Sequence, residues 1–334
     1  MRLSFMKYAI TNSIAILLLT SCAGGSPILT MQQVQSRMVR QTSSCPCLYA
    51  TDGGSVTVYP ERARGDATPI QDISGGSTGL GYPVDIAVDG SRNMYVLNSV
   101  SGGASVEVFA AGATGDVAPV ATIAGSYTDL VDPTAIALDP VNGDIYVTNK
   151  GNNSVTIYAP SSNGNVAPLG VIKGSHTVLD FPFGLAIDRR GRVYISNYSG
   201  TSITVYAAGS TGNVAPIRTI SGFYTELTLP YALALDSSAN IYVLDDVGNR
   251  RDNYLTVYPA GANGNVAPIQ NFSTEALYDP EGIAVDRHKN MYVSSLIESR
   301  VVVYAAGSTG DVNPIRTIKG SNTGLYETQG IAIR

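Results

Sequence analysis

The apolar positions along this chain come in short runs, none of them helical in period. In the clearest stretch, Phe181 to Ile220, Leu185-Ala186-Ile187 is apolar, Asp188 to Gly191 is a polar turn, and Val193-Tyr194-Ile195 is apolar again. Ile203 to Tyr206 alternates strictly between inward and outward character. Gly209 to Pro216 is Gly/Pro punctuation, and Ile217 to Ile220 closes the unit. Period-two runs bounded by Gly, Pro and Asn predict four short strands in one antiparallel meander. Such a sheet has two faces to cover and must stack against copies of itself.

The copies are present. The aromatic that ends the third run recurs at Tyr59, Phe109, Tyr158, Tyr206, Tyr258 and Tyr304, at spacings of 46–52 residues. Six four-stranded units at this spacing predict an all-β, six-bladed β-propeller, whose radial repetition leaves few open edges. A parallel solenoid has shorter repeats without internal hairpins. The chain ends support a closed ring. Gly330 to Arg334 read as a first strand with nothing after it, whereas the first copy, from Leu48, begins at a second strand. The expected blades are 83–125, 133–174, 182–222, 230–272, 280–320, and a composite of 330–334 with 48–75.

Composition narrows the function classes. The 334 residues carry a formal charge of −5, and only 14% are charged. A mildly acidic chain without basic runs argues against nucleic acid, whose binding rests on neutralising phosphates. Residues 1–21 hold Arg2 and Lys7, then a compact apolar core from Ile14 to Leu19, too short for the roughly 20 residues a bilayer span needs. Leu19-Thr20-Ser21-Cys22 resembles the lipobox of bacterial lipoproteins, which implies export, acylation at Cys22 and anchoring to a cell-envelope membrane. A plain secretory signal cleaved near Ala23 is the alternative. Residues 22–47 are then an acylated cysteine and a flexible tether, and 48–334 the ring. Cys45-Pro46-Cys47 lacks the geometry for an easy disulfide, leaving intermolecular pairing or no role.

Asp132-Pro133 to Asn149, Phe181-Pro182 to Asn197, Leu229-Pro230 to Asp245 and Asp279-Pro280 to Ser295 share a pattern, P-x-G-[IL]-A-[VI]-D-x-x-[GN]-x-[IVM]-Y-V-x-N. It resembles the NHL repeat. That resemblance implies a propeller and admits protein-binding scaffolds, RNA binders and a few lyases. Related rings include gluconolactonase-like metalloenzymes.

Candidate chemistry is sparse. Of two histidines, His176 belongs to an inter-blade loop on one rim and His288 to a hairpin turn on the other, so no His pair can share a site. The second strands end in Asp52, Asn98, Asn149, Asn197, Asp245 and Ser295. Side chains of this kind cap turns through backbone N–H groups, or line a mouth with oxygens that suit a cation such as Ca²⁺. Departures from the repeat are more informative. Where other blades have Gly or Ala, one has Asp85. One position earlier the blades carry Val84, Thr134, Phe183, Tyr231, Glu281 and Gln329. First strands line a propeller's channel, so Asp85, Glu281, Tyr231 and Phe183 are expected at its mouth.

Two functions follow. The favoured one is a lipid-anchored, monomeric binding or scaffold module for a protein or glycan partner, needing no cofactor. The alternative is a metal-assisted lyase or lactonase using His176 with Asp85, Glu281 or Asp245. A purely structural envelope component is a third.

Overall fold

The computed structural model describes residues 46–100, 103–246, 254–273 and 278–334. The signal, Cys22, the tether and Cys45 lie outside the described residues. Six antiparallel sheets succeed one another along the chain. The first strand of each is Pro83–Val88, Pro133–Leu138, Pro182–Ile187, Pro230–Leu235, Pro280–Val285 and Ile331–Ile333, and these six neighbour one another in a closed ring. The fourth strands, such as Ala121–Ala124 and Arg218–Ile220, lie at the far edge of each sheet. Six blades of four strands are therefore present, with the boundaries expected to within a few residues.

Closure uses both chain ends. Ile331–Ile333 pairs with Cys47–Asp52 in the register Leu48↔Ile333, Tyr49↔Ala332 and Ala50↔Ile331. Cys47 is the first residue of that second strand and is 3% exposed, which removes it from reach of an intermolecular thiol.

The core is a set of six wedges, each filled by two neighbouring sheets. One joins Val155, Ile172 and Tyr146 of one blade to Val193, Ile195 and Tyr206 of the next. The aromatic that marks the repeat sits in these wedges, and its hydroxyl donates to the loop entering its blade: Tyr158 to the Thr128 carbonyl, Tyr206 to Thr177, Tyr258 to Thr225 and Tyr59 to Thr323. A buried phenol needs such a partner.

The G-[DN]-V-x-P segment ties each blade to its neighbour. Its glycine makes a parallel bridge to the outer strand of the preceding blade, at Ile73–Gly115, Ile123–Gly164, Ile172–Gly212, Ile220–Gly264, Phe272–Gly310 and Ile318–Gly65. These glycines have φ between 61° and 80°, a conformation costly for other residues. The next residue caps the loop entering its own blade: Asp116 accepts from Ser77 N, Asn165 from Tyr127 N, Asn213 from His176 N and Asn265 from Tyr224 N, each at 2.7 Å.

Deleting residues 330–334 should remove the innermost strand of the closing blade and expose two sheet edges. The expected loss is on the order of 4 kcal/mol, read as a large drop in Tm by thermal unfolding. An unchanged Tm would overturn closure by this strand.

Candidate functional site

The site is built by one irregularity repeated around the ring. In five blades the pairing of the first two strands slips just after the leading proline, as between Pro182 and Leu185 or Pro280 and Ile283. The bulge turns the residue after proline toward the axis. Val84, Thr134, Phe183, Tyr231, Glu281 and Gln329 accordingly line one central cavity of about 530 Å³, together with Tyr82, Asp85, Asp132 and Lys150. Further along the same strands the lining becomes small and apolar, through Ala87, Ala137, Ala186, Ala234 and Ala284. The repeated alanine lets the first strands approach the axis.

Aromatic rings crowd one side of this mouth. Phe183 and Tyr231 have centroids 3.9 Å apart, and Tyr198 stands 6.1 Å from Phe183 and 6.3 Å from Tyr231. Phe181 joins Tyr198 at 5.8 Å. The Lys150 ammonium lies 5.5 Å from the Phe183 centroid and 5.7 Å from that of Phe181, and pairs with Asp132 at 3.5 Å. Tyr231 donates its hydroxyl to Glu281 Oε2 at 2.5 Å. Burial, and then the Glu281 carboxylate, holds the Tyr231 phenol well above its usual range. The Tyr82 phenol is raised for the same two reasons.

Asp85 has a structural origin and a chemical consequence. In four blades a hydroxyl from the second strand accepts the N–H of the residue that follows the mouth position: Thr148 from Ala135 at 3.0 Å, Ser196 from Gly184 at 2.7 Å, Ser294 from Gly282 at 2.8 Å and Thr51 from Gly330 at 2.8 Å. Three of these hydroxyls also donate to a first-strand carbonyl of the next blade, at Phe183, Tyr231 and Gln329. In Asp85's own blade the equivalent position is Leu97, and the bridge to the neighbour is made instead by Asp85 Oδ2, which accepts from Ile136 N at 2.8 Å. Burial in the channel pushes the Asp85 carboxyl up to about 7, against the opposing pull of the Ile136 and Ile86 amides.

The other expected residues lie elsewhere. Asp52, Asn98, Asn149, Asn197 and Asp245 are at most 1% exposed and turn toward the loop entering their own blade. Asn98 accepts from Gly81 N and Tyr82 N at 2.9 Å, Asn149 from Val131 N at 3.0 Å, Asn197 from Asp180 N at 3.2 Å, and Asp245 from Leu229 N at 2.7 Å. Asp52 accepts from the Thr57 and Thr328 hydroxyls at 2.7 and 2.9 Å. These side chains act as caps, not as an open, oxygen-lined mouth. His176 is exposed on its loop and is not among the residues that line the cavity with Asp85 and Glu281. Among the described residues no three His, Cys, Asp or Glu side chains converge on one point.

The residues that sequence reasoning did not single out are Lys150, Tyr82, Phe181, Tyr198 and Gln329. The signal existed only for Gln329, which breaks the row of mouth residues. Lys150 reaches the site from a short 3₁₀ turn, Lys150–Asn152, that the repeat does not announce.

A family model described as "Lactonase, 7-bladed beta-propeller" matches residues 86–220, the span of three blades. Among solved structures, the Nidogen/Laminin complex contains a similar chain, with a TM-score of 0.62 and 16% identity over 86% of this chain and 98% of that one. A Bacteroides fragilis protein provisionally assigned as a 6-phosphogluconolactonase is similar at a TM-score of 0.57 and 11% identity, over 88% and 99%. A Lactobacillus plantarum protein gives 0.53 and 11%, over 86% and 99%. The likeness is one of fold. No protein of curated function matches the chain by sequence. The family's ring has seven blades, whereas this one closes with six.

The buried carboxyls set a pH dependence. Unfolded aspartates titrate near 4, whereas burial raises Asp85 and Asp52 to about 7 and Asp245 to about 6 in the fold. Between about pH 4 and 7 the folded chain therefore holds more protons than the unfolded one, and stability falls as pH rises. Asp188 and Asp236 do not oppose this. Their burial is outweighed by Arg192 and Asn240, which lower them, so their contribution disappears only below that window. Tm should be several degrees lower at pH 8 than at pH 5, and Asp85→Asn should flatten part of the slope. A flat or rising Tm across this window would contradict the assignment.

Proposed function

We propose that the chain is an exported, lipid-anchored propeller that acts as a binding module, taking a partner at the mouth of its central channel. The observation that carries this reading is the aromatic cluster of Phe181, Phe183, Tyr198 and Tyr231, of which Phe183 and Tyr231 line, with Lys150 and Glu281, a cavity of about 530 Å³. A few placed polar groups among aromatic rings are the usual make-up of a ligand site. Between a protein and a glycan, this chemistry favours a glycan. The C–H face of a pyranose is slightly positive and packs on the negative face of an aromatic ring, while its hydroxyls need both donors and acceptors at the rim. The anchor is Cys22 of the lipobox-like segment, with the following residues as tether.

The double variant Phe183→Ala/Tyr231→Ala should lose glycan binding at least tenfold on a glycan array or by calorimetry, with the ring still folded. Unchanged binding, or no glycan bound by the wild type, would refute the reading. For the anchor, Cys22→Ser should move the chain from the membrane fraction to the soluble one. Retention in membranes would refute acylation at that cysteine.

A second reading, hydrolysis of a lactone, is supported by two observations. One is the family-model likeness over 86–220. The other is the Asp85 carboxyl near 7, suited to proton transfer at neutral pH. In that reading Asp85 or Glu281 would take a proton from the attacking water. A lactone panel decides it: without hydrolysis that Asp85→Asn or Glu281→Gln abolishes, the reading falls.

A further inference from the structure

One polar group at the mouth is underused. Gln329 is 7% exposed and lines the central cavity, and its Nε2 makes no close hydrogen bond; the Tyr82 phenol beside it is the one side chain on which it acts, leaving a second N–H of the amide to be satisfied. An unsatisfied buried donor destabilises a fold, and native structures keep few of them without a use. The backbone does not need this side chain. The carbonyl of Gln329 already accepts from Ser294 Oγ, and its N–H donates to the Thr51 carbonyl at 3.0 Å.

The surroundings restrict what could satisfy it. A cationic group would compete with the Lys150 ammonium, which already sits over Phe181 and Phe183. An anionic group would meet the Glu281 carboxylate and Asp85. What remains is a neutral group that offers an acceptor to Gln329 Nε2 and a donor to Glu281. An acetamido group does both, through its carbonyl and its N–H, and its methyl suits the apolar row that begins with the alanines.

Resting on the reading of the mouth as a glycan site, we propose that Gln329 and Glu281 together select an N-acetylated amino sugar at the end of a glycan. Its acetamido group enters the channel and its ring packs on the aromatic side of the mouth. Gln329 is the specificity-determining residue, because the acceptor it needs is the carbonyl that a plain hexose lacks. A site built to hydrogen-bond a ligand group discriminates strongly against the analogue without it.

The test titrates the full chain, solubilised in detergent, with N,N′-diacetylchitobiose and with cellobiose. The acetylated disaccharide should bind at least tenfold more tightly. Gln329→Leu should lose about tenfold toward it and nothing toward cellobiose, while Tm stays equal or rises because an unsatisfied amide has been removed. If that variant folds poorly, Gln329→Met, of matching length, should show the same loss. Equal binding of the two sugars, or a preference that survives both variants, overturns the proposal. Cellobiose binding that depends on Phe183, without a preference for the acetylated sugar, sinks this proposal and leaves the glycan reading standing. No binding of either sugar or of any array glycan sinks both.

Discussion

The ring depends on three antiparallel residue pairs between the two ends of the chain. Each blade covers only one face of its neighbour, so every wedge of core needs two sheets. With the last strand unpaired, the wedge holding Leu48, Tyr59, Tyr292 and Val303 would lose Ile331, and the innermost edge of the closing sheet would be open. A propeller distributes its stability around a circle, and a circle has no redundant junction. This is why the remainder of the repeat is devoted to junctions: a parallel bridge, an Asp or Asn cap and a phenol bond recur at nearly every one.

That devotion explains where function can reside. The recurring polar residues are engaged with backbone groups, and removing one would leave a buried amide unsatisfied. The caps at Asn98, Asn149 and Asn197 are of this kind. So are the hairpin aspartates, such as Asp286, which accepts from His288 N and Asn290 N at 2.8 Å. Positions facing the axis vary from blade to blade and, apart from Thr134, which bonds the Pro182 and Phe183 carbonyls, are largely clear of such duty. Asp85 belongs to both groups. It substitutes for a missing hydroxyl at the junction of two blades, and in doing so it places an ionisable group in the channel.

The fold was legible because its signal is repeated. Strand period, turn residues and the complementary chain ends all point to the same ring, and blade boundaries follow from the leading prolines. The row of mouth residues was legible for the same reason, since one bulge acts identically in five blades. What the sequence concealed was direction. Asp52 and Asp245 occupy the end of a strand near one rim, but whether a carboxylate there faces the axis or the backbone of its own loop depends on tertiary contacts, and both turn to the backbone. His176 is exposed on its inter-blade loop and is not part of the cavity lining, a placement that loop order alone does not reveal. Lys150 was invisible because a short 3₁₀ turn, which among the described residues occurs at this point of one blade only, delivers it.

The lactonase likeness is itself a statement about the repeat. Its span, residues 86–220, takes in the alternating strands, hairpin aspartates and G-[DN]-V-x-P bridges of three blades, the features by which this ring repeats. It stops short of Asp85 on one side and of Tyr231, Glu281 and Gln329 on the other. The mouth is thus drawn from both parts of the chain: Lys150, Phe181, Phe183 and Tyr198 lie within the matched span, whereas Asp85, Tyr231, Glu281 and Gln329 lie outside it. Within this ring the junction chemistry repeats from blade to blade, whereas the axis-facing row, Val84, Thr134, Phe183, Tyr231, Glu281 and Gln329, differs at every position. One arrangement of strands thus builds the fold by repetition and leaves that row for a site grafted onto it.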